Sequence, residues 1–388
     1  MAVRIAQDLG LMLDAAPHLP YLEQEERRRV FWSVYLLDRL VSCGRGRPPA
    51  ILDASCHLQL PCPEQIWEDG VWKRTLTLEE LSNRTYLDPP ETQGPFAHVI
   101  VMAYTLGRGA QYMLQGFNTR SRYPPWDPSS DFAAIESDLL HLETQLEMHK
   151  SIQEMLAPHI IPDGEMDHQR TGPIIFSRAL YHLTYCMLNQ PFLLRSRIGL
   201  GQHPAPASFL ARAFDSGWQH ALRLMELIRH ARSAGCIAQS SFHGYCAIVA
   251  GSIAALHAHS ENSDVSARAQ ALLQEAISYL EDVGQYLQNM STMALILRQL
   301  SEKTFIFSEI SSDRPRIATL SSADTDTMWT LIDYSTMSNE ALAGVIQNQP
   351  PDANVWLDSW FELFGAVGNT KNTGTPGDIV GAISMSET

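Results

Sequence analysis

Cys56, His57 and Cys62 bring three metal-ligating side chains into one stretch of the sequence. Zinc chemistry asks for three or four Cys, His or carboxylate ligands, usually as two short-spaced pairs, and no second pair accompanies them. His257 and His259 lie two residues apart in a helical pattern, so their side chains point about 200° apart and cannot share one metal without distorting the helix. The six cysteines, Cys43, Cys56, Cys62, Cys186, Cys236 and Cys246, contain no C-x-x-C pair. Neither a disulfide framework nor a zinc module is written here, and reduced thiols of an intracellular protein are the expectation.

Nucleophilic and phosphate chemistry fare no better. G-x-S-x-G and G-x-x-x-x-G-K-[ST] are absent, and the GRG at 107–109 lies in a helical stretch without a preceding strand. His141, His182 and His220 fall singly on helical patterns, where a structural role is expected rather than that of a general base. No catalytic centre assembles, and no enzyme activity, catalytic residue, metal or cofactor is expected of the chain.

GRGRPP at 44–49 has the look of an arginine hook for the DNA minor groove. Such a hook normally rides on a mobile arm rich in Lys and Arg, whereas this one sits between LVSC and AILD. With 28 Lys+Arg against 43 Asp+Glu, a net charge of −15, the chain as a whole repels phosphate backbones. The alternative is a helix stop. Gly44 is expected to close the helix in the left-handed conformation, Pro48 and Pro49 to forbid its resumption, and Arg45 and Arg47 to pair with acids or with helix-end carbonyls.

The elements that position these residues read as helices almost throughout, because apolar residues recur at helical spacing and strict alternation is scarce. The pattern predicts an all-α protein with helices near 1–15, 26–43, 97–116, 131–155, 173–195, 206–232, 239–259, 265–289, 291–310 and 325–347. In the second, Glu23 and Glu25 stand four residues before Arg27 and Arg29, which supports a helix start with a solvated first turn. Val30, Phe31, Val34, Leu37, Leu40 and Val41 draw its apolar stripe, with Trp32, Tyr35 and Leu36 widening it. The longest apolar run, 245–258, is shorter than a membrane span and reads as a buried core helix. MAVRIAQDLGLMLD begins directly in an amphipathic pattern without a capping residue, as though the chain started inside an element.

AVRIAQDLGL at 2–11, EERRRVFWSVYLLDRLVSCGRGRPPAI at 25–51 and LDASCHLQLPCP at 52–63 together resemble the fungal-specific transcription factor domain, or middle homology region, of zinc-cluster transcription factors. FSRALYHLTYCMLNQPFLL at 176–194 resembles a downstream helix end of the same family. The resemblance covers 1–310 and implies a multi-helix regulatory domain acting in the nucleus. Its motif residues here are Arg39, Gly44, Arg45, Gly46, Arg47, Pro48 and Pro49. The implied partners are transcriptional coactivators, related regulators or a small-molecule effector, with DNA reached only indirectly and no membrane. Members usually carry an N-terminal binuclear zinc cluster and a coiled coil, and neither motif is in this sequence. Zinc is therefore expected only if such a cluster precedes Met1. The rival readings are a decayed, inactive fragment of such a regulator and an enzyme on a helical scaffold.

The segment 311–366 is acidic and aromatic, with no Lys or Arg from Ile317 to Thr370. Trp356, Trp360, Phe361 and Phe364 stand among Asp358 and Glu362, a composition that suits a coactivator-binding activation segment and equally a last amphipathic helix docked on the bundle. Residues 367–388 lose bulky apolar side chains and are expected to form a disordered tail.

Overall fold

The computed structural model describes residues 1–83, 93–115, 123–161, 163–198, 204–236, 240–302 and 321–337. Among them every regular element is helical, as the pattern predicts, and only isolated bridges, Gln59 with Thr77 and Ile160 with Met166, depart from helix and loop. The elements are α1 (Ala2–Asp8), α2 (Tyr21–Val41), α3 (Glu64–Glu68), α4 (Leu78–Ser82), α5 (Pro95–Ala110), α6 (Asp131–Gln145), α7 (Ile152–Leu156), α8 (His168–Asn189), α9 (Pro191–Ile198), α10 (Ala207–Ser233), α11 (Ser241–His257), α12 (Ser263–Gly284), α13 (Gln288–Glu302), α14 (Ser322–Ile332) and α15 (Tyr334–Met337).

The long helices pack in sequence order. α2 lies on α5, α5 on α8, α8 on α10 and α11, and α11 on α12 and α13. α11 is the axis of this arrangement: every residue from Ser241 to His257 is buried, which is why its sequence is apolar all round rather than amphipathic. α10 and α12 show one apolar face each and cover it from outside, with Leu224, Met225 and Ile228 from α10 and Leu273, Ile277 and Leu280 from α12 in the core.

Some boundaries differ from the sequence pattern for identifiable reasons. α1 stops at Asp8, and the chain turns at Gly10 (φ 65°) with the Leu11 N–H bonded to the Ala6 carbonyl. The single helix expected over 131–155 is two, α6 and α7, broken at Glu147, whose φ is 48°. The carbonyls freed at this break are collected by Arg178 of α8, which donates to Leu146 (3.3 Å), Glu147 (2.7 Å) and Lys150 (2.9 Å). Gln190 is extended ahead of Pro191, dividing α8 from α9.

Candidate functional site

The chemistry-bearing residues of the N-terminal third converge on one face of α2. Its buried residues are Glu25, Arg28, Arg29, Phe31, Trp32, Tyr35, Leu36, Asp38, Arg39 and Leu40, so charged groups share the helix stripe with the aromatics. This corrects the expected solvated first turn. Arg28 and Arg29 are 9% and 6% exposed and Glu25 is fully enclosed, while Val30 and Leu37 face outward. Glu25 pairs with both arginines and accepts the Cys62 N–H at 2.9 Å. Arg29 donates to the Cys62 carbonyl at 2.6 Å, reaches Glu64 at 3.3 Å and lies 4.3 Å over the Trp67 ring. Trp32 donates to the Gln59 carbonyl at 2.8 Å. The upper half of α2 thus holds the irregular stretch from 59 to 67 through polar side chains.

The lower half does the same for the loop after the helix. Arg39, 1% exposed, donates to Asp38 (2.9 Å), the Ile51 carbonyl (2.6 Å) and Asp53 (2.8 Å), and its guanidinium stacks 4.3 Å over Tyr35. Its aliphatic stem occupies the space that a Cβ on Gly107 of α5 would take, 2.8 Å from Arg39 Cδ. Asp38 accepts the Ala50 N–H at 3.0 Å and the Ile51 N–H at 3.1 Å. Tyr35 donates to Asp53 at 2.6 Å. Burial, opposed by Arg39 and reinforced by Asp53, pushes the Tyr35 phenol well above its ordinary range, so it stays a donor. Both terminal guanidinium nitrogens of Arg39 thus have oxygen partners, the condition under which a buried charge is tolerated, whereas Nε of Arg28 is enclosed without a hydrogen bond.

Between these clamps runs GRGRPP. Its Arg45, Gly46, Arg47 and Pro48 are exposed, but its start is enclosed on two sides. Gln115, at the end of a π turn over Gln111–Gln115, places its amide nitrogen 2.8, 2.9 and 3.0 Å from the carbonyls of Ser42, Gly44 and Arg47. From the other side come α14 and α15. The Tyr334 N–H donates to the Cys43 carbonyl (2.9 Å), the Arg45 N–H to Asp333 (3.2 Å), and the Arg45 guanidinium sits 4.1 Å over Trp329. The expected reason for Gly44 is corrected here: its φ is not positive, and Ser42 caps the helix. A Cβ on Gly44 would lie 2.6 Å from Asp333 Oδ1 and 2.8 Å from Ser335 Cβ. Glycine is needed for a close approach, not for a left-handed turn. Pro48 and Pro49 lie in the irregular chain beyond the helix end, and Gly46 has open space around it.

The other constellations resolve differently. Cys56 donates to the Leu52 carbonyl of its own loop (3.5 Å), and Cys62 accepts from Tyr21 at the start of α2 (3.2 Å). Burial, aided by Asp53, pushes the Cys56 thiol up to about 12. Among the described residues no group of three or more His, Cys, Asp or Glu is placed to hold a metal ion. His257 stacks on Trp218 (5.1 Å), and His259 reaches the Ser301 carbonyl at 2.9 Å. His182 and His220, expected to stand alone, form a pair with their Nδ1 atoms 2.9 Å apart, and His220 lies stacked at 4.0 Å on Tyr185. One ring donates and the other accepts. Burial, with His220 adding, holds His182 well below the ordinary histidine range, and burial with Arg223 lowers His220 to about 3. Trp356, Trp360, Phe361 and Phe364 lie outside the described residues.

A small cleft of about 30 Å³ opens between α4, α5 and α6, lined by Leu78, Leu81, Val101 and Leu142 with Tyr104 and His141 at its polar side. Sequence reasoning missed Asp38, Asp53, Gln115, Arg178 and Asp333, whose partners are mostly backbone groups far along the chain. For Asp38 and Asp53 the available signal was their position beside Arg39 and at the end of the loop it binds.

Residues 1–89, which contain the whole α2 clamp, match the model of the Fungal specific transcription factor domain. The chain is similar to Zn(2)-C6 fungal-type transcription factors. Relatives include the Zn(2)-C6 fungal-type transcription factors FTF1c and FTF1a of Fusarium oxysporum f. sp. lycopersici. FTF1c is 27% identical over 279 residues, 69% of this chain and 29% of the relative. FTF1a is 26% identical over 276 residues, 69% of this chain and 25% of the relative. An uncharacterized transcriptional regulatory protein of Schizosaccharomyces pombe is 29% identical over 159 residues, 37% of this chain and 16% of the relative. The chain therefore spans less than a third of the length of these curated relatives. No solved structure matches this fold. Among the described residues no helix is long and apolar enough to cross a membrane.

Proposed function

We propose that this chain is the helical regulatory domain of a transcription regulator, working in the nucleus through contacts with coactivators or related regulators rather than by catalysis. The observation that carries this reading is the coincidence of the family match over 1–89 with the buried clamp that organises the same residues. A clamp built from backbone-directed charges shapes a surface and leaves no convergent acid, base or nucleophile. The relatives' names support transcription as the process, and their greater length supports a role as one part of a larger machinery. DNA contact, in this reading, is indirect. The acidic and aromatic stretch around Trp356 and Trp360 serves as the coactivator-facing element.

Tethering the full chain to a heterologous DNA-binding module upstream of a reporter tests this. The expected result is an output at least about threefold away from the module alone, a shift of about 0.7 kcal/mol in effective recruitment, returning to baseline for Arg39→Ala. A folded, stably expressed chain that reads the same as the bare module contradicts it.

A further inference from the structure

The apolar stripe that the sequence draws on α2 is not the one the core uses. Phe31, Trp32, Tyr35, Leu36 and Leu40 face inward with the buried charges, while Val30 and Leu37 face outward, 37% and 36% exposed, and Val34 and Val41 are half-buried in line with them. Residues 30, 34, 37 and 41 follow at spacings of 4, 3 and 4, the rhythm of a helix–helix seam. Scattered exposed apolar side chains need no explanation, but a row in register that the fold leaves open does. The same face changes charge along its length. Glu23 and Glu26 are exposed at its start, and Arg45 and Arg47 are exposed on the loop that leaves its end. Beside its first turns lies α1, packed on α2, with Arg27 donating to the Leu9 carbonyl at 2.9 Å. α1 turns Val3 and Ala6 inward and leaves Ile5 and Leu9 exposed, which carries the apolar surface past the edge of α2.

We infer that this face of α2 is where a second copy of the chain docks, the two helices running antiparallel about a twofold axis near Val34. The charges argue for this occupant. Glu23 and Arg45 stand equally far from residue 34 along the sequence, so a twofold there brings the Glu23–Glu26 end of each copy to the Arg45–Arg47 end of the other. A parallel pair would set like charge on like. A surface that complements itself only when turned end for end specifies an isologous contact, and the repulsion between wrongly oriented copies fixes the direction. One face of a 21-residue helix, about 31 Å long, with α1 at its side makes a contact at the low end of specific interfaces, so a dissociation constant of about 10–100 µM is expected. The inference is independent of the transcriptional reading.

Sedimentation of the full chain from about 1 to about 300 µM, in about 150 mM salt to screen its net charge, tests this. Expected is a monomer–dimer equilibrium that Val30→Ser and Leu37→Ser each weaken about tenfold or more, while Leu295→Ser, at an exposed leucine of α13, leaves it unchanged. Circular dichroism checks that each variant keeps the wild-type helical signal; should one of the α2 variants fail to fold, the other carries the comparison. The charge reversals Glu23→Arg and Arg47→Glu should each weaken the dimer about threefold or more, and together restore it to within about twofold of wild type. A chain that stays monomeric to about 300 µM overturns the inference, as does a dimer indifferent to Val30→Ser and Leu37→Ser. A dimer that those two variants weaken but that the double charge reversal does not rescue overturns the antiparallel docking.

Discussion

Arg39 has exchanged water for two carboxylates, one carbonyl and the face of a tyrosine, all within a helix that a hydrophobic reading turns the other way. Removing one partner from such a network strands the rest. Arg39→Ala is expected to cost about 3–5 kcal/mol, and Arg39→Lys about 2 kcal/mol because an ammonium cannot span Asp38, Ile51 and Asp53 at once. Chemical denaturation of both variants measures this. The His182–His220 pair makes a different prediction. Either single leucine replacement leaves a buried imidazole nitrogen without its partner, at about 1–3 kcal/mol, whereas the double replacement should cost about 1 kcal/mol less than the sum. A strictly additive double-mutant cycle would show that the pair is not coupled. Of these residues, Arg39 and the GRGRPP string were legible in the sequence because they form a motif. The burial of Glu25, Arg28 and Arg29 was not, since charged side chains weigh against burial until Cys62, Glu64 and Trp67 are known to lie over them.

At the scale of elements, the long helices were legible because period and length agree, and α10, α11 and α12 fall within a few residues of the pattern. The break between α6 and α7 was not. It holds no glycine or proline, and Glu147 keeps its positive φ because Arg178, 31 residues on, gathers the three carbonyls around it. Arg178→Met, which keeps the stem and loses the donors, is therefore expected to destabilise by about 2–4 kcal/mol and to raise exchange first at 146–151. If exchange rises evenly along the chain instead, the turn is not held by Arg178. The short helices α3 and α4 also escaped the pattern, being single turns. α4 is set by a capping box, Thr77 with Glu80, whose signature S/T-x-x-E is visible in TLEE once sought.

For the molecule as a whole, the buried histidines give a pH signature. His182, His243 and His257 are neutral in the fold, each lowered chiefly by burial, His243 to about 4. Because they charge near 6.5 once unfolded, their contribution is intact above that pH and is lost as pH falls from about 6.5 toward 4. Each takes up to about 1.4 kcal/mol per pH unit. Over the two units below 6.5 His243 alone removes about 3 kcal/mol, a sizeable share of the stability of a typical domain. Urea midpoints should fall below pH 6 with a slope of at least one proton; a flat profile down to pH 4.5 would contradict the assignment.

The central claim is that the arginine motif folds and fastens this domain instead of gripping nucleic acid. The measurement that tests it most directly pairs the thermal midpoint of the purified chain with its affinity for duplex DNA across a salt series, for wild type and for Arg45→Ala with Arg47→Ala. The account predicts a midpoint lowered by about 2–4 °C, equivalent to about 1 kcal/mol in a chain of this size, with weak DNA binding that is the same in both proteins. An unchanged midpoint together with a salt-dependent affinity that the double variant loses would contradict it and return GRGRPP to the minor groove.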